Sequence, residues 1–368
     1  MYTNIGKLRV LHIINSLETG GAEKLVLDTV PLLVKRGHTV NVLLLNGKET
    51  PFFKSLTVLG CCEIFVLGKS YYNPFYILAI GKYLSEYDIV HAHLFPTQYF
   101  SAFAKLFFSV KTKLVFTEHS TTNTRLAKPI FKSLERFIYR QYNKVICITS
   151  NVKEVLVDKL SIPSDTLCII ENGIKLDDIQ MATSRHRSEF GYQKDDVLLI
   201  MVAGFRKEKD QDTVIKALQL LPANYHLILV GDGERRNELM NLVGRLNVLE
   251  RVRFLGARSD VPRILKLANI AVLSSHWEGF GLAAAEAMAA GIPVVASNVP
   301  GLGQVVEGGG ILFERENAEE LAAILYRLIT DRRLYLDTVN NGIQKAKQYD
   351  IEKMVMKTEE LYHTLIKL

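Results

Sequence analysis

The sequence predicts an α/β protein made of two doubly wound domains, each with a parallel sheet and helices on both faces. Short apolar runs alternate with amphipathic helical patterns, which is typical of such sheets. The alternation restarts at Val197 after a polar stretch with little periodicity, which we interpret as a linker. A chain of 368 residues is also long for one hydrophobic core. We therefore expect one domain at residues 1–175 and a second at 176–349, followed by a helix at 350–368.

The amino-acid composition predicts an ordinary globular protein without disulfide bonds. The content of 48% hydrophobic and 23% charged residues is that of an ordinary globular protein. No residues at the start resemble a signal peptide, and no apolar stretch approaches about 18 residues. The cysteines lack metal-ligand spacing and predict reduced thiols in a cytoplasmic protein. They are Cys61, Cys62, Cys147 and Cys168.

Charge is distributed unevenly. Residues 1–175 contain 21 basic and 13 acidic residues, a net charge of +8, whereas the rest of the chain carries −2. A basic half is compatible with nucleic acid, an anionic membrane surface or an anionic substrate. No nucleic-acid motif is present, so we expect no nucleic-acid partner.

The first strand, Arg9–Asn15, leads into a helix through Gly20 and Gly21. One glycine is explained by a tight turn, but two indicate a close approach of the backbone to something else. Further strands are predicted at Val40–Leu45, Ile89–His91, Leu114–Thr117 and Val145–Thr149.

Histidines follow two of these strands, at the edge where open α/β sheets bind ligands. His91 and His93 share a strand face, but no third metal ligand is evident, so we expect no metal there. His119 is either a core histidine with satisfied hydrogen bonds or a ligand-binding residue.

The loop after the strand Val197–Ala203 contains Arg206, Lys207 and Lys209 just before a helix. Arginine and lysine at such a junction suit phosphate, although a solvated basic loop is the alternative. The next residues, Asp210-Gln211-Asp212, spell a DxD motif that binds metal in other proteins. We interpret the aspartate as a helix cap and assign no metal.

The stretch after the strand Ile270–Leu273 is the most informative in the chain. Gly279 and Gly281 flank Phe280, and an Ala-rich helix begins at Leu282. Free N–H groups at a helix start favour an anion, most often a phosphate. Glu278 and Glu286 frame this loop and would accept hydrogen bonds from sugar or ribose hydroxyls. The alternative is that both glutamates are solvated.

The run from His276 to Ala296 resembles the signature of the retaining glycosyltransferases of family 4, which have the GT-B architecture. The resemblance extends over most of the chain and is dense from Asn172 to Phe313. It implies two Rossmann-like domains that face a cleft, with the last helix crossing back onto the first domain. Phe205 departs from the family, in which arginine follows the glycine directly, so Arg206 is matched less closely than Lys209.

The resemblance also implies roles for individual residues. The implied catalytic residues are Glu278, His119, Lys209 and Arg206. The implied donor-binding residues are Gly20, Gly21, Gly279, Phe280, Gly281, Leu282, Glu286 and Arg253.

The implied activity is transfer of a sugar from a nucleotide-sugar, with retention of the anomeric configuration. A UDP-sugar is favoured and a GDP-sugar is the alternative; no metal or cofactor is expected. The implied acceptor is a saccharide or lipid-linked saccharide used in surface-polysaccharide synthesis. A nucleotide-sugar epimerase of the same architecture and a non-catalytic nucleotide-sugar-binding protein remain open.

A basic amphipathic pattern runs from Arg125 to Lys144, near the apolar segment Phe103–Val110. A solvated helix face is one interpretation. The other is a peripheral membrane surface, which would place the enzyme in the cytoplasm at the inner face of the plasma membrane.

Overall fold

The computed structural model describes residues 6–108, 111–120 and 129–367, with side chains omitted at 129 and 130. It forms two compact units. Unit 1 comprises Met1–Gly173 with Ile351–Leu368, and unit 2 comprises Ile174–Asp350. The boundary at 173/174 lies two residues before the position inferred from the sequence, and the last helix belongs to unit 1.

The sheet of unit 1 is parallel, because every strand pair in the described part of it runs in the same direction. Its inner strands are mostly buried, as expected when helices cover both sides, whereas the edge strands are partly exposed. The strands are β1 (Arg9–Ile14), β2 (Thr39–Leu44), β3 (Ile64–Val66), β4 (Ile89–His93), β5 (Lys113–Glu118), β6 (Lys144–Cys147) and β7 (Leu167–Ile169). Their order is β3-β2-β1-β4-β5-β6-β7.

Helices cover this sheet and bury a core of aliphatic side chains from β1, β2 and the helices beside them. They are α1 (Gly21–Lys35), α2 (Pro51–Leu59), α3 (Tyr76–Leu84), α4 (Thr97–Phe108), α5 (Pro129–Tyr139), α6 (Ser150–Leu160) and the C-terminal α15 (Ile351–Lys367).

The predicted basic helix is shorter than expected. Within the described residues it is α5, which ends at Tyr139, and Lys144 begins β6 instead. Arg125 and Lys128 lie outside the described residues.

The C-terminal helix is tied to unit 1 by a buried carboxylate. Glu359 accepts hydrogen bonds from the Arg36 guanidinium at 2.6 Å and from His38 Nε2 at 2.8 Å. His38 Nδ1 accepts the backbone N–H of Leu8 at 3.2 Å, which leaves the ring proton on Nε2. Farther along, His91 Nδ1 lies 2.6 Å from the Tyr362 hydroxyl. Polar contacts therefore hold α15 against the segment between α1 and β2 and against the central strand β4.

The sheet of unit 2 is also parallel and has its own core. Its strands are β8 (Val197–Val202), β9 (Tyr225–Val230), β10 (Val252–Gly256), β11 (Ile270–Leu273), β12 (Val294–Ser297) and β13 (Ile311–Phe313), in the order β10-β9-β8-β11-β12-β13. Its helices are α7 (Leu176–Met181), α8 (Gln211–Gln219), α9 (Arg236–Arg245), α10 (Val261–Leu265), α11 (Leu282–Ala289), α12 (Leu302–Val306), α13 (Ala318–Thr330) and α14 (Arg332–Ala346).

The interpretation of the stretch before Val197 as a linker was wrong. It contains α7, whose Ile179 is buried, and it is fastened to unit 2 by several hydrogen bonds. Arg187 donates to the Asn269 side chain at 2.8 Å, and Arg263 donates to the Thr183 carbonyl at 3.1 Å. The polar composition of this stretch gave no sign of these contacts, because they are made by backbone carbonyls and by residues distant in sequence.

We predict that Glu359→Gln loosens α15, because the change removes the charge that both Arg36 and His38 contact. Hydrogen bonds to charged groups contribute about 2 kcal/mol each. A loss of about 2 kcal/mol corresponds to roughly 4–8 °C in the melting temperature of a unit of this size. The neighbouring Glu360 is exposed, so Glu360→Gln is the matched control. Equal melting temperatures for the two variants, measured by circular dichroism, would contradict the tether.

Candidate functional site

The candidate site of unit 2 lies where the strand order switches from one side of β8 to the other. From β8 the chain adds β9 and β10 on one side, and then β11, β12 and β13 on the other. The loops that leave β8 and β11 therefore diverge and open a crevice at the carboxyl edge, the position where open α/β sheets bind ligands. The predicted phosphate loop follows β8, and the predicted glycine-rich loop follows β11.

An ion pair joins these two loops. Lys209 Nζ lies 2.5 Å from Glu278 Oε1, and the Ser275 hydroxyl donates to the same oxygen at 3.0 Å. The Lys209 and Glu278 side chains are only 21% and 14% exposed, so solvent screens this pair less than a surface pair. Two residues predicted to act together from positions 69 apart in sequence are thus in direct contact.

Glycine is required where a second loop packs on the first. Gly301 has φ +82°, and a Cβ there would clash with the carbonyl oxygens of Glu278 and Gly279. Gly281 has φ +95°, and a Cβ there would fall 2.6 Å from the Leu302 side chain. The loops after β11 and β12 therefore interlock through backbone atoms.

Phe280 and Leu282 lie between and beside these glycines. The Phe280 side chain is buried and packs edge-on against Tyr349, with ring centroids 5.1 Å apart. Any donor contact of Phe280 would consequently use its backbone. Helix α11 begins at Leu282, and the half-buried Glu286 lies one turn inside it, as predicted.

Phe205 explains the altered spacing of the phosphate loop. Its side chain is buried in the core of unit 2 and contacts the Phe254 ring at 5.8 Å. The next residue, Arg206, is 57% exposed in its side chain and lies 3.7 Å from Glu208. Its guanidinium folds back toward Gly204, where a Cβ would stand 3.4 Å from Arg206 Nε. The inserted phenylalanine thus anchors the loop and leaves Arg206 at the surface.

The two aspartates of the DxD sequence have structural partners. Asp210 caps α8, where its carboxylate accepts the Thr213 hydroxyl at 2.6 Å, so the predicted cap is confirmed. Arg235 donates two hydrogen bonds to Asp212, at 2.7 and 3.0 Å. Burial alone would raise the pKa of Asp212, but the contacts with Arg235 outweigh it and hold that pKa below its usual range.

Arg253 is not brought together with Lys209 and Glu278. Its guanidinium lies over the Tyr192 ring, 5.7 Å from the centroid. The same ring contacts His226, the second residue of β9. Arg253 therefore faces the beginning of the strands rather than their carboxyl ends.

In unit 1 the strand order switches sides between β1 and β4. The predicted Gly20-Gly21 turn and the predicted histidines both lie at that edge of the sheet. Gly20 is the N-cap of α1, which begins at Gly21. The Glu23 side chain occupies the space that a Cβ on Gly20 would need. Gly21 is exposed at the start of the helix, where its backbone is open to a ligand.

Four histidines meet in the centre of unit 1. His12 on β1 pairs in register with His91 on β4, while His93 lies two residues farther along and His119 follows β5. His12 Nδ1 is 3.0 Å from His93 Nε2, and His93 Nδ1 is 3.2 Å from His119 Nε2. His91 bonds instead to Tyr362 and, at 2.7 Å, to the Thr117 hydroxyl.

These rings border a cavity of about 40 Å³ whose other walls are mostly apolar. No carboxylate of a described residue lines it. Burial lowers the pKa of His12 and of His119 to about 4. Burial, together with the neighbouring histidines, lowers the pKa of His91 and His93 well below the usual value. All four rings are therefore neutral at pH 7.

Two sets of side chains within the described residues have the composition of a metal site. The set His12, His91 and His93 contains a third ring, which was not evident from the sequence. Both nitrogens of His91 and of His93 are nevertheless occupied by hydrogen bonds. The second set is His38, Glu359 and His363. There, the proton on His38 Nε2 and the Arg36 guanidinium disfavour a cation.

Sequence reasoning missed Ser275 and His12. Ser275 is the second residue after β11, and a small polar residue at a strand's carboxyl end is a usable signal for such a site. His12 lies inside an apolar strand, and only the strand register brings it beside His91. The contact of Gly301 with the Glu278 loop likewise depends on the fold.

Comparisons with known proteins cover both units. The family model described as "Glycosyltransferase Family 4" matches residues 19–178, and the model described as "Glycosyl transferases group 1" matches residues 183–345. A UDP-Gal:alpha-D-GlcNAc-diphosphoundecaprenol alpha-1,3-galactosyltransferase of Escherichia coli is 26% identical, over all of this chain and 99% of that protein. The N-acetyl-alpha-D-glucosaminyl L-malate synthase of Bacillus anthracis is 28% identical over 91% of each chain.

Among solved structures, Anabaena HepE in complex with UDP-glucose superposes with a TM-score of 0.85. The alignment covers 96% of this chain and 99% of HepE at 23% identity, so this likeness concerns the fold. It agrees with the predicted GT-B architecture.

The lowered pKa values of the histidine cluster predict a pH-dependent stability. Unfolded histidine titrates near pH 6.5, and His12 and His119 titrate near 4 in the fold. Their contribution is therefore complete above about pH 6.5 and is lost as the pH falls toward 4. Each such histidine adds up to about 1.4 kcal/mol per pH unit to the slope. Urea unfolding at several pH values should show a shallower slope for His12→Phe than for the unsubstituted protein. Thr29→Val, in the same cavity, should keep the original slope.

Proposed function

Because this chain is a glycosyltransferase of family 4, we propose that it transfers a sugar from a nucleotide-sugar to a saccharide or lipid-linked saccharide. A UDP-sugar is the favoured donor and a GDP-sugar the alternative. The transfer proceeds with retention of the anomeric configuration and serves surface-polysaccharide synthesis. The observation that carries this proposal is the contact of Lys209 with Glu278 beside the start of α11.

This arrangement suits a nucleotide-sugar donor, in which the diphosphate joins a sugar and a ribose that both have hydroxyl groups. The N–H groups at the start of α11 and the Lys209 ammonium provide positive potential for the diphosphate. Glu278 on the loop would accept hydrogen bonds from hydroxyls of the transferred sugar, and Glu286 inside the helix from those of the ribose. Gly301 packs on the loop through backbone atoms and so keeps its shape.

The proposed reaction depends on positioning and on stabilisation of charge. As the glycosidic bond breaks, negative charge grows on the leaving diphosphate, and Lys209 lies where it can stabilise that charge. A front-face mechanism, in which the diphosphate helps to deprotonate the acceptor, accounts for retention without a covalent intermediate. Arg206 at the surface of the same loop would give weaker support. The carboxylates of Asp210 and Asp212 have other partners, so we propose that no metal is required.

Lipid-linked acceptors are favoured by the name of one relative and by a surface on unit 1. The E. coli relative is named for an acceptor on diphosphoundecaprenol. Helices α3, α4 and α5 lie side by side and expose large apolar side chains. These are Leu78, Leu106, Phe107, Phe108, Phe131 and Phe137. We call them the apolar face.

Exposed cations accompany the apolar face, although fewer than the sequence indicated. Lys105 donates to Asn143 at 2.8 Å, and Arg136 donates to the Leu160 carbonyl at 2.8 Å, so both have partners within the unit. Lys82, Lys111 and Arg140 are exposed. No helix in the described part of the chain is long and apolar enough to cross a membrane. We therefore propose peripheral contact with an anionic leaflet at the inner face of the plasma membrane.

The donor site is testable because the only tryptophan, Trp277, lies next to Glu278 and is 41% exposed. We expect UDP to change Trp277 fluorescence. Glu286→Ala should weaken the binding of UDP and of intact donor, whereas Glu278→Ala should leave UDP affinity nearly unchanged and abolish transfer. Equal loss of UDP binding in both variants would contradict this division of roles.

Lys209→Ala should lower kcat by about 10²–10³-fold, as removal of a preorganised charge contact typically does. Lys209→Arg retains the charge beside Glu278 and is the matched control. Turnover is measured with UDP- and GDP-sugars and a diphosphoundecaprenol-linked sugar, and NMR assigns the product anomer. An inverted anomer would overturn retention, an epimerised donor would indicate the epimerase, and activity lost in EDTA would overturn the proposal that no metal is needed.

The membrane proposal predicts sedimentation with anionic vesicles at low salt and release at high salt, because exposed charges are screened within about 10 Å at 0.1 M. Phe107→Glu should reduce sedimentation, since Phe107 is 68% exposed on the apolar face. Val58→Glu is the control, because Val58 is 87% exposed on α2. Failure of the unsubstituted protein to sediment with anionic vesicles would favour a soluble acceptor.

A further inference from the structure

The structure assigns a positioning role to His12 and His93: we propose that they hold His119 in the tautomer that carries its proton on Nδ1. His119 would then present a neutral N–H donor, not a base or a cation, to a hydroxyl or phosphate oxygen of the substrate. This inference rests on the proposed function for the identity of the substrate. The tautomer itself follows from the hydrogen bonds within unit 1.

The three rings form one continuous chain of hydrogen bonds. The bond of 3.0 Å joins His12 Nδ1 to His93 Nε2, and the bond of 3.2 Å joins His93 Nδ1 to His119 Nε2. A neutral imidazole has one N–H and one lone pair. All the protons must therefore be donated in the same direction along the chain, either from His12 toward His119 or from His119 toward His12.

The buried end of the chain selects the direction. His12 Nε2 is buried and has no hydrogen-bond partner among the described residues. If His119 donated toward His12, the proton at that end would be an N–H with no acceptor. The opposite direction leaves only a lone pair there, and unpaired buried N–H groups are the rarer case in folded proteins. His12 Nδ1 thus donates to His93 Nε2, and His93 Nδ1 donates to His119 Nε2.

The open end of the chain is the functional one. With Nε2 of His119 occupied as an acceptor, its proton lies on Nδ1, which has no partner among the described residues. His119 directly follows β5, at the carboxyl edge of the sheet of unit 1. An N–H donor at this edge fits a substrate oxygen, and it cannot remove a proton from the acceptor hydroxyl.

His91 provides an internal control. It is as buried as His12 and His93, and its ring centroid is 4.2 Å from that of His93. Its nitrogens bond to Tyr362 and Thr117, so it lies outside the chain. A change at His91 disturbs the same packing without removing a hydrogen bond to His119.

The test is ¹⁵N NMR of the full protein with ¹⁵N-labelled histidine at pH 7, where the two ring nitrogens of each tautomer have distinct shifts. His119→Gln identifies the His119 signals by their loss. We expect the unsubstituted protein to show the Nδ1–H tautomer at His119. His93→Phe should increase the Nε2–H tautomer and lower kcat/KM roughly tenfold, the effect of losing one oriented hydrogen bond. His93→Gln, whose amide still donates, should restore both, and His91→Phe should leave the tautomer unchanged.

A dominant Nε2–H tautomer in the unsubstituted protein would overturn the inference, as would the same tautomer shift in His91→Phe and His93→Phe. Titration with Zn²⁺ provides another check, since displacement of the ring protons by stoichiometric metal would show a metal site instead. The NMR result needs no substrate. Absence of transfer with the Nδ1–H tautomer intact would contradict the proposed function alone, and transfer with the other tautomer would contradict this inference alone.

Discussion

The parallel direction of the strands is the constraint on which the rest of the structure depends. Because all strands in a sheet end at the same edge, the loops that follow them converge there, and side chains far apart in sequence become neighbours. In each unit the first strand is central and the chain continues first to one side and then to the other. The crevice beside that strand receives Gly20 and the histidines in unit 1 and the contact of Lys209 with Glu278 in unit 2.

The carboxyl edges of the two sheets differ in their electrostatics. In unit 2 two groups of opposite charge, Lys209 and Glu278, are in direct contact in a partly buried place. In unit 1 burial keeps four histidines neutral, so that hydrogen-bond direction rather than charge distinguishes one nitrogen from another. The first arrangement suits a diphosphate whose charge changes during reaction. The second suits recognition of a group whose charge does not change.

Much of the fold was predictable because its signals are local. Nearly every strand placed by its apolar run is present within one or two residues, and Glu278 and Lys209 lie on loops that follow β11 and β8, as the sequence indicated. That these two loops face each other was not predicted, because it depends on the strand order. What escaped prediction depends on contacts between distant residues. His12 resembled any strand residue until register placed it beside His91. Helix α7 was hidden because its contacts come from residues distant in sequence, such as Lys266, which donates to the Gln180 carbonyl. Phe205 departs from the family's spacing, and its burial shows that it anchors the loop.

The position of α15 has a consequence for synthesis of the chain. Most of unit 1 precedes unit 2 in the chain, yet Glu359 and Tyr362, which contact His38 and His91, are synthesised after all of unit 2. A ribosome therefore delivers every residue of unit 2 before the helix that closes unit 1. Until then, the apolar side chains of β1 and α1 that pack on α15 lack their cover. Unit 1 therefore lacks this cover throughout the synthesis of unit 2, and a chain that ends before α15 leaves part of the core of unit 1 exposed.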